Sequence, residues 1–207
     1  MYSSSFKKIV FSVPILLLLF NLSFSQKFKA GIIAGFTTSQ VSGDQLAGFN
    51  KSGFEFGGLV SAPISEKFDL SFQIVFIQKG SKKPNNAAQG DYTYYRMSLN
   101  YIEVPVLLRY NFSKKFQFEA GPTFGRLISS KEEDEHGEIP PVNEFNNFEL
   151  GFMLGMNYML FDNFYLNLEG SNSILPIRES DIEGARDQFN SVLMFSFKYV
   201  FNKKTEE

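Results

Sequence analysis

The sequence predicts an all-β chain: a single eight-stranded antiparallel up-and-down transmembrane β-barrel preceded by a signal peptide. Three observations carry this. Apolar residues alternate with period two over eight segments, the connections alternate between short turns and long polar loops, and the first 25 residues read as an export leader.

The leader places Lys7 and Lys8 ahead of an apolar core from Ile9 to Phe20 and ends on the small residues Ser23 and Ser25, so cleavage is expected before Gln26. A retained anchor helix is the alternative. The core holds only 12 residues and is interrupted by Ser12 and Pro14, whereas a spanning helix needs about 20. The domain organisation is therefore 1–25 as leader and 26–207 as barrel.

The first strand alternates through Phe28, Ala30, Ile32, Ala34 and Phe36, and the second, near 53–64, through Phe54, Phe56, Val60, Ala62 and Ile64. Phe68, Leu70, Phe72, Ile74 and Phe76 mark the third. The fourth, 100–112, sets Ile102, Val104, Val106, Leu108, Tyr110 and Phe112 against Glu103, Arg109 and Asn111, one greasy face and one mixed face. Phe116, Phe118, Ala120 and Phe124 give the fifth, while Phe148, Leu150, Phe152, Leu154, Met156, Tyr158 and Leu160 give the sixth. Phe164, Leu166, Leu168 and Ile174 form the seventh. The last switches parity to Leu193, Phe195, Phe197, Tyr199 and Phe201, the terminal strand by which the barrel-insertion machinery would recognise the chain.

Short turns centred on Glu66, Lys114 and Asp162 recur every 48 residues. Long polar connections occupy 39–52, 80–97, 129–145 and 175–189, so one end carries turns and the other loops. Pro63, Pro105 and Pro122 lie inside strands and each should mark a bulge or local unpairing. Arg126 falls on the greasy parity, so either it lies above the hydrocarbon or the register slips at Gly125.

Period two does not by itself say which face points inward. A soluble lipocalin-like barrel would put the greasy face around a ligand, and a membrane barrel would put it into lipid. Eight strands enclose a space that side chains just fill, too small for about four greasy residues per strand, many of them Phe. The opposite face combines Gly31, Gly35, Gly57, Gly121, Gly125, Gly151 and Gly155 with a charged set, Glu55, Glu103, Arg109, Glu119, Glu149, Glu169 and Lys198. Small residues beside opposite charges suit a narrow lumen. Lipid is thus the expected neighbour of the Phe rows, in the outer membrane of a Gram-negative cell, and Phe and Tyr at the strand ends serve as the interfacial girdle, since the chain has no Trp.

Composition narrows function by exclusion. No Cys is present, which removes disulfides, thiolate metal sites, cysteine nucleophiles and a lipid-attached cysteine. Basic and acidic residues number 20 and 22, and loss of the leader's two lysines leaves 18 against 22, which argues against nucleic acid as a partner.

The leader ending SFSQ, the opening strand KAGIIAGFTTSQVSGD, the fourth strand YIEVPVLLRYNF, the AGP at Ala120–Pro122 and the closing FSFKYVF together resemble the PorT-like outer-membrane β-barrel family of Bacteroidetes, a porin-like group of small barrels. That resemblance implies periplasmic termini and short turns, and an association of some relatives with type IX secretion; most have no assigned activity. The chain departs from the pattern in adding NKKTEE after Phe201.

The resulting expectation is a non-enzymatic envelope component, without catalytic residues, cofactor or metal, presenting its loops to an envelope or secretion-system protein. The candidate contacts are Tyr92, Tyr94 and Tyr95 in GDYTYYRM and Arg178 in the 175–189 loop, although Tyr94 and Tyr95 could equally extend the strands upward. A narrow solute or ion channel is the alternative, with the charged interior as a path rather than a plug. A third reading is a lipid-modifying enzyme. The sole histidine, His136, sits in the acidic stretch Lys131–Glu138, but barrel enzymes that resemble lipid A deacylases place a Ser two residues after the catalytic His, where this chain has Glu138. The acidic stretch itself is read as a solvated surface and not as a Ca²⁺ site.

Overall fold

In the computed structural model, residues 28–84, 93–140, 143–180 and 186–201 are described; the leader and Tyr92 lie outside them. The strands are β1 (Lys29–Ser42), β2 (Lys51–Pro63), β3 (Phe68–Lys83), β4 (Tyr95–Asn111), β5 (Phe116–Asp134), β6 (Gly137–Ile139), β7 (Phe148–Phe161), β8 (Phe164–Ser173) and β9 (Phe189–Val200). Each of the eight long strands pairs antiparallel with its neighbours, β1 with β9 closes the ring, and β4 with β5 completes it. No barrel strand is left with a free edge in the hydrocarbon, the condition for spanning a bilayer. The short β6 folds back on the top of β5.

The greasy face points outward. Ile32, Phe36, Phe56, Phe72, Ile74, Phe124, Phe152 and Leu168 are exposed, as are Leu193, Phe195, Phe197, Tyr199 and Phe201 of the terminal strand. All seven charged residues expected in the lumen are buried. At the short-turn end the rings of Phe68 and Tyr110, Phe116 and Tyr158, and Phe161 and Phe164 approach within 5.1, 4.8 and 4.7 Å, an aromatic collar where hydrocarbon meets headgroups.

Close strand approach explains two glycines. A Cβ on Gly121 would lie 2.0 Å from the Val106 carbonyl oxygen, and one on Gly35 would lie 2.3 Å from Ser196 Cβ.

Several expectations are corrected. All four long connections are in part strand: β1 runs on to Ser42 and β2 begins at Lys51, β3 runs on to Lys83 and β4 begins at Tyr95, β5 continues to Asp134, and β9 begins at Phe189. Polar residues there carry no apolar contrast to reveal the alternation. Of the two outcomes expected for the prolines, local unpairing holds at Pro105 and Pro122, where the ladder is interrupted and the same register resumes beyond, because a missing N–H removes a bond without adding a residue; Pro63 ends β2, still paired opposite Asp69. The register of β5 slips not at Gly125 but higher: Leu127 opposes Tyr101 and Ser129 opposes Asn100, leaving Ile128 as the extra residue. Arg126, below that slip, therefore stays on the outer face.

Ile74 lies near the middle of the lipid-facing band. Ile74→Lys is expected to lower the unfolding free energy by about 2–4 kcal/mol, measured by urea titration in phospholipid vesicles with circular dichroism.

Candidate functional site

Inward-pointing side chains stack in layers along the barrel. Nearest the short turns, Arg109 on β4 donates from Nε to Glu119 Oε2 at 3.2 Å, and Lys198 on β9 bridges Glu119 Oε1 at 2.5 Å and Glu169 Oε1 at 2.9 Å. Asn167 donates to Glu119 at 3.1 Å and to Asn157 at 2.7 Å, and accepts from Ser196 at 2.9 Å. Gly155 leaves room for these carboxylates, since a Cβ there would sit 2.6 Å from Glu169 Cγ.

A second ion-pair group lies toward the long loops. Lys79 on β3 bridges Glu103 at 2.5 Å and Glu149 at 3.0 Å, Asn190 donates to Glu149 at 2.9 Å, and the Tyr101 ring lies 5.1 Å from Lys79 Nζ. Glu55, buried on β2, sits within electrostatic reach of both groups, of Lys198 on one side and of Glu103 and Lys79 on the other. Lys79 was not among the residues expected in the lumen, although it keeps the inward parity of Val75 and Ile77; the strand had been expected to end there.

Apolar side chains surround this second ion-pair group and continue past it toward the long loops. Val41, Ile77, Met97, Leu99, Met153, Val192 and Met194 form one cluster, closed by Phe145 and Ile177 from the connections flanking β7 and β8. This layer is missing from the sequence reading because most of its members lie at or beyond the expected strand ends.

A latch crosses the top of that layer. Arg178 is only 8 % exposed and donates from Nη1 and Nη2 to the two Glu132 oxygens at 2.8 and 2.9 Å, and from Nε to Gln188 at 2.9 Å. Its guanidinium carbon lies 4.1 Å from the centre of the Phe145 ring, and the Tyr95 hydroxyl donates to Glu132. Burial opposes the Arg178 charge, but the Glu132 bonds and charge outweigh it and hold the group more firmly protonated than usual. Burial, with Glu132 alongside, pushes the Tyr95 phenol above its ordinary range. The sequence reading is corrected here on two points: Arg178 is a structural tie whose polar end is already engaged, and Glu132 is buried and not part of a solvated acidic surface. Of the two readings open for Tyr94 and Tyr95, upward strand extension holds: β4 begins at Tyr95, whose hydroxyl donates to Glu132, and Tyr94 immediately precedes it with its N–H bonded to Glu135. Glu132 was missed because the Ile128 bulge reverses parity above it.

His136 is exposed, 3.8 Å from Glu135 and 3.9 Å from Asp134, and among the described residues no acidic or histidine grouping is arranged to hold a metal. Over the latch lies a cleft of about 390 Å³, walled by Asp44, Leu46, Ile139, Asn143 and Arg186 with Arg178 in its lining. Asp44 accepts the Leu46 N–H at 2.9 Å, and burial raises its pKa, with Ser81 and the Leu46 N–H opposing the rise.

A closed eight-stranded barrel with an outward Phe surface has counterparts among known proteins. Residues 21–178 match the family model described as outer membrane protein beta-barrel domain. The chain belongs to that family. This outer-membrane β-barrel protein resides in the bacterial outer membrane, and its architecture is similar to that of Ail, the attachment invasion locus protein of Yersinia pestis. The crystal structure of Ail shows 14% identity and a TM-score of 0.51, covering 84% of this chain and 98% of that one. Ail in a phospholipid bilayer nanodisc matches at 13% identity and TM-score 0.50, covering 84% and 100%. Neisserial surface protein A gives 13% identity, TM-score 0.49 and coverage of 84% and 97%. No curated protein matches the sequence.

Two predictions follow from the layers of this outer-membrane barrel. Lys198→Met strands Glu119 and Glu169 without their shared cation and is expected to cost about 3–5 kcal/mol in urea unfolding. Because burial raises the Asp44 pKa above its unfolded value, its favourable contribution is complete below pH 3.8 and is lost as pH rises through the folded value. Asp44→Asn should therefore increase hydrogen-exchange protection of the 43–50 loop at neutral pH and leave it unchanged near pH 3.

Proposed function

We propose that this protein is a non-enzymatic envelope component whose extracellular end contacts a partner protein, within the PorT-like branch of the outer-membrane barrels and with a secretion assembly as its setting. The observation that carries the reading is the latch. Glu132, Arg178, Tyr95 and Phe145 tie the connections from three different parts of the chain into one ordered surface, and a cleft opens on its outer side. A binding surface gains affinity by being pre-organised in this way.

The segment IEVPVLLRY with the short turn after it, and the AGP of β5, support the PorT-like placement in Bacteroidetes. The exposed alternation of Leu193, Phe195, Phe197, Tyr199 and Phe201 supports assembly by the barrel-insertion machinery. That the same barrel shape serves a protein named for attachment supports a surface-contact role over transport.

A closed interior predicts the electrical behaviour. Purified mature protein in planar bilayers is expected to show no steady open-pore conductance; a stable open level would establish the channel reading instead. In cells, photo-crosslinkers placed at Leu46 and Ile139 on the cleft wall should trap a discrete partner protein, and Arg178→Ala, which loosens the latch, should reduce that crosslink at least threefold. A crosslink unchanged by that substitution would count against the ordered surface as the contact.

A further inference from the structure

Arg126 is a cation in a place where the rest of the wall is apolar. It points outward on β5 between the exposed Phe124 and Ile128, opposite Ile102 on β4 and Phe148 on β7. Among the described residues no carboxylate pairs with it. Its guanidinium carbon lies 4.9 Å from the centre of the Phe148 ring, a contact that engages one face of the group and leaves its in-plane N–H donors free.

Its height is set by strand geometry. From Phe116 in the aromatic collar to Arg126 is ten residues along β5, which at 3.4 Å per residue and a tilt near 40° is about 26 Å, the far edge of an apolar band about 25 Å tall. The outer wall confirms the boundary from the other side. Just above, Gln78 donates to Asn100 at 3.1 Å and Asn100 to Ser129 at 2.8 Å, a polar row across β3, β4 and β5 whose amides serve one another. Higher still, Arg96 faces Glu133, a carboxylate already bonded to Lys131 at 2.7 Å.

We propose that Arg126, seated on Phe148, is a binding site for the phosphate of an anionic lipid of the outer leaflet. A guanidinium presents paired donors to phosphate oxygens in a geometry that an ammonium does not match. At the band's edge the lipid phosphates lie at this level, so the headgroup supplies the anion that the protein does not. The aromatic ring fixes the plane of the guanidinium and the polar row above is satisfied internally, which leaves Arg126 as the group that reaches for the lipid.

The test uses the mature full-length protein in phosphate-free maltoside micelles, with native mass spectrometry to follow added diphosphoryl lipid A. Wild type should bind lipid A at least tenfold more tightly than chemically dephosphorylated lipid A, a comparison that needs no variant. Arg126→Gln should weaken lipid A binding at least fivefold, Arg126→Lys by an intermediate factor, and Arg96→Gln, which alters a cation already facing a carboxylate, by less than twofold. Equal binding of the dephosphorylated lipid would overturn the proposal. So would an Arg126→Gln protein that binds as wild type, an equal loss in Arg96→Gln, or displacement of lipid A by an equimolar amount of inorganic phosphate.

Discussion

Hydrocarbon offers no hydrogen-bond partner, and a ring of eight strands encloses little space; these two constraints acting together sort the residues of this barrel. Phenylalanine is too bulky to enter the lumen in such numbers and is welcome in lipid. Glutamate and lysine are excluded from lipid and must share the lumen, where all but Glu55 of the charges expected there meet an opposite charge at close range. Glycines on the inner face, such as Gly155 beside Glu169, supply the remaining room.

The lumen meets the charge requirement by sharing. Lys198 serves Glu119 and Glu169, and Lys79 serves Glu103 and Glu149. Some of these bonds join neighbouring strands, as between β8 and β9. Others cross the lumen, from Lys198 on β9 to Glu119 on β5 and from Lys79 on β3 to Glu149 on β7. Those cross-lumen bonds fix the ring's shape as well as its register, which gives buried ion pairs a specificity role even where their net stabilisation is small.

Toward the long-loop end apolar side chains interleave with the second ion-pair group and continue past it, and the connections descend onto them. Phe145 and Ile177 close the apolar layer, and the Arg178–Glu132 pair locks the closure from above. The outer wall changes at a related height, from Phe and Ile to the Gln78–Asn100–Ser129 row, so β3, β4 and β5 continue as a polar sheet beyond the lipid. Rigid strands, polar surface and converging loops therefore coincide at this end of the barrel.

The eight strands, their greasy faces and the turn-and-loop alternation were legible because an apolar band must repeat with period two and because Phe has one acceptable destination. Most of the lumen charges were legible for the same reason, from Glu55 to Lys198. Glu132 and the loop-end part of the apolar cluster were not, since above the lipid both faces of a strand are polar or mixed and alternation leaves no trace; Lys79 keeps the inward parity but stands at the last residue of the expected strand. The Ile128 bulge then reverses the parity of everything above it, which turns Glu132 inward without any mark in its neighbours. By itself the sequence determined which residues face lipid and which face the lumen, because that choice depends on each side chain's own solvation. Which cation meets which acid, and that Arg178 lands on Glu132, was decided only by closure of the ring, because residues far apart in the chain meet across the lumen at heights set by strand tilt and stagger.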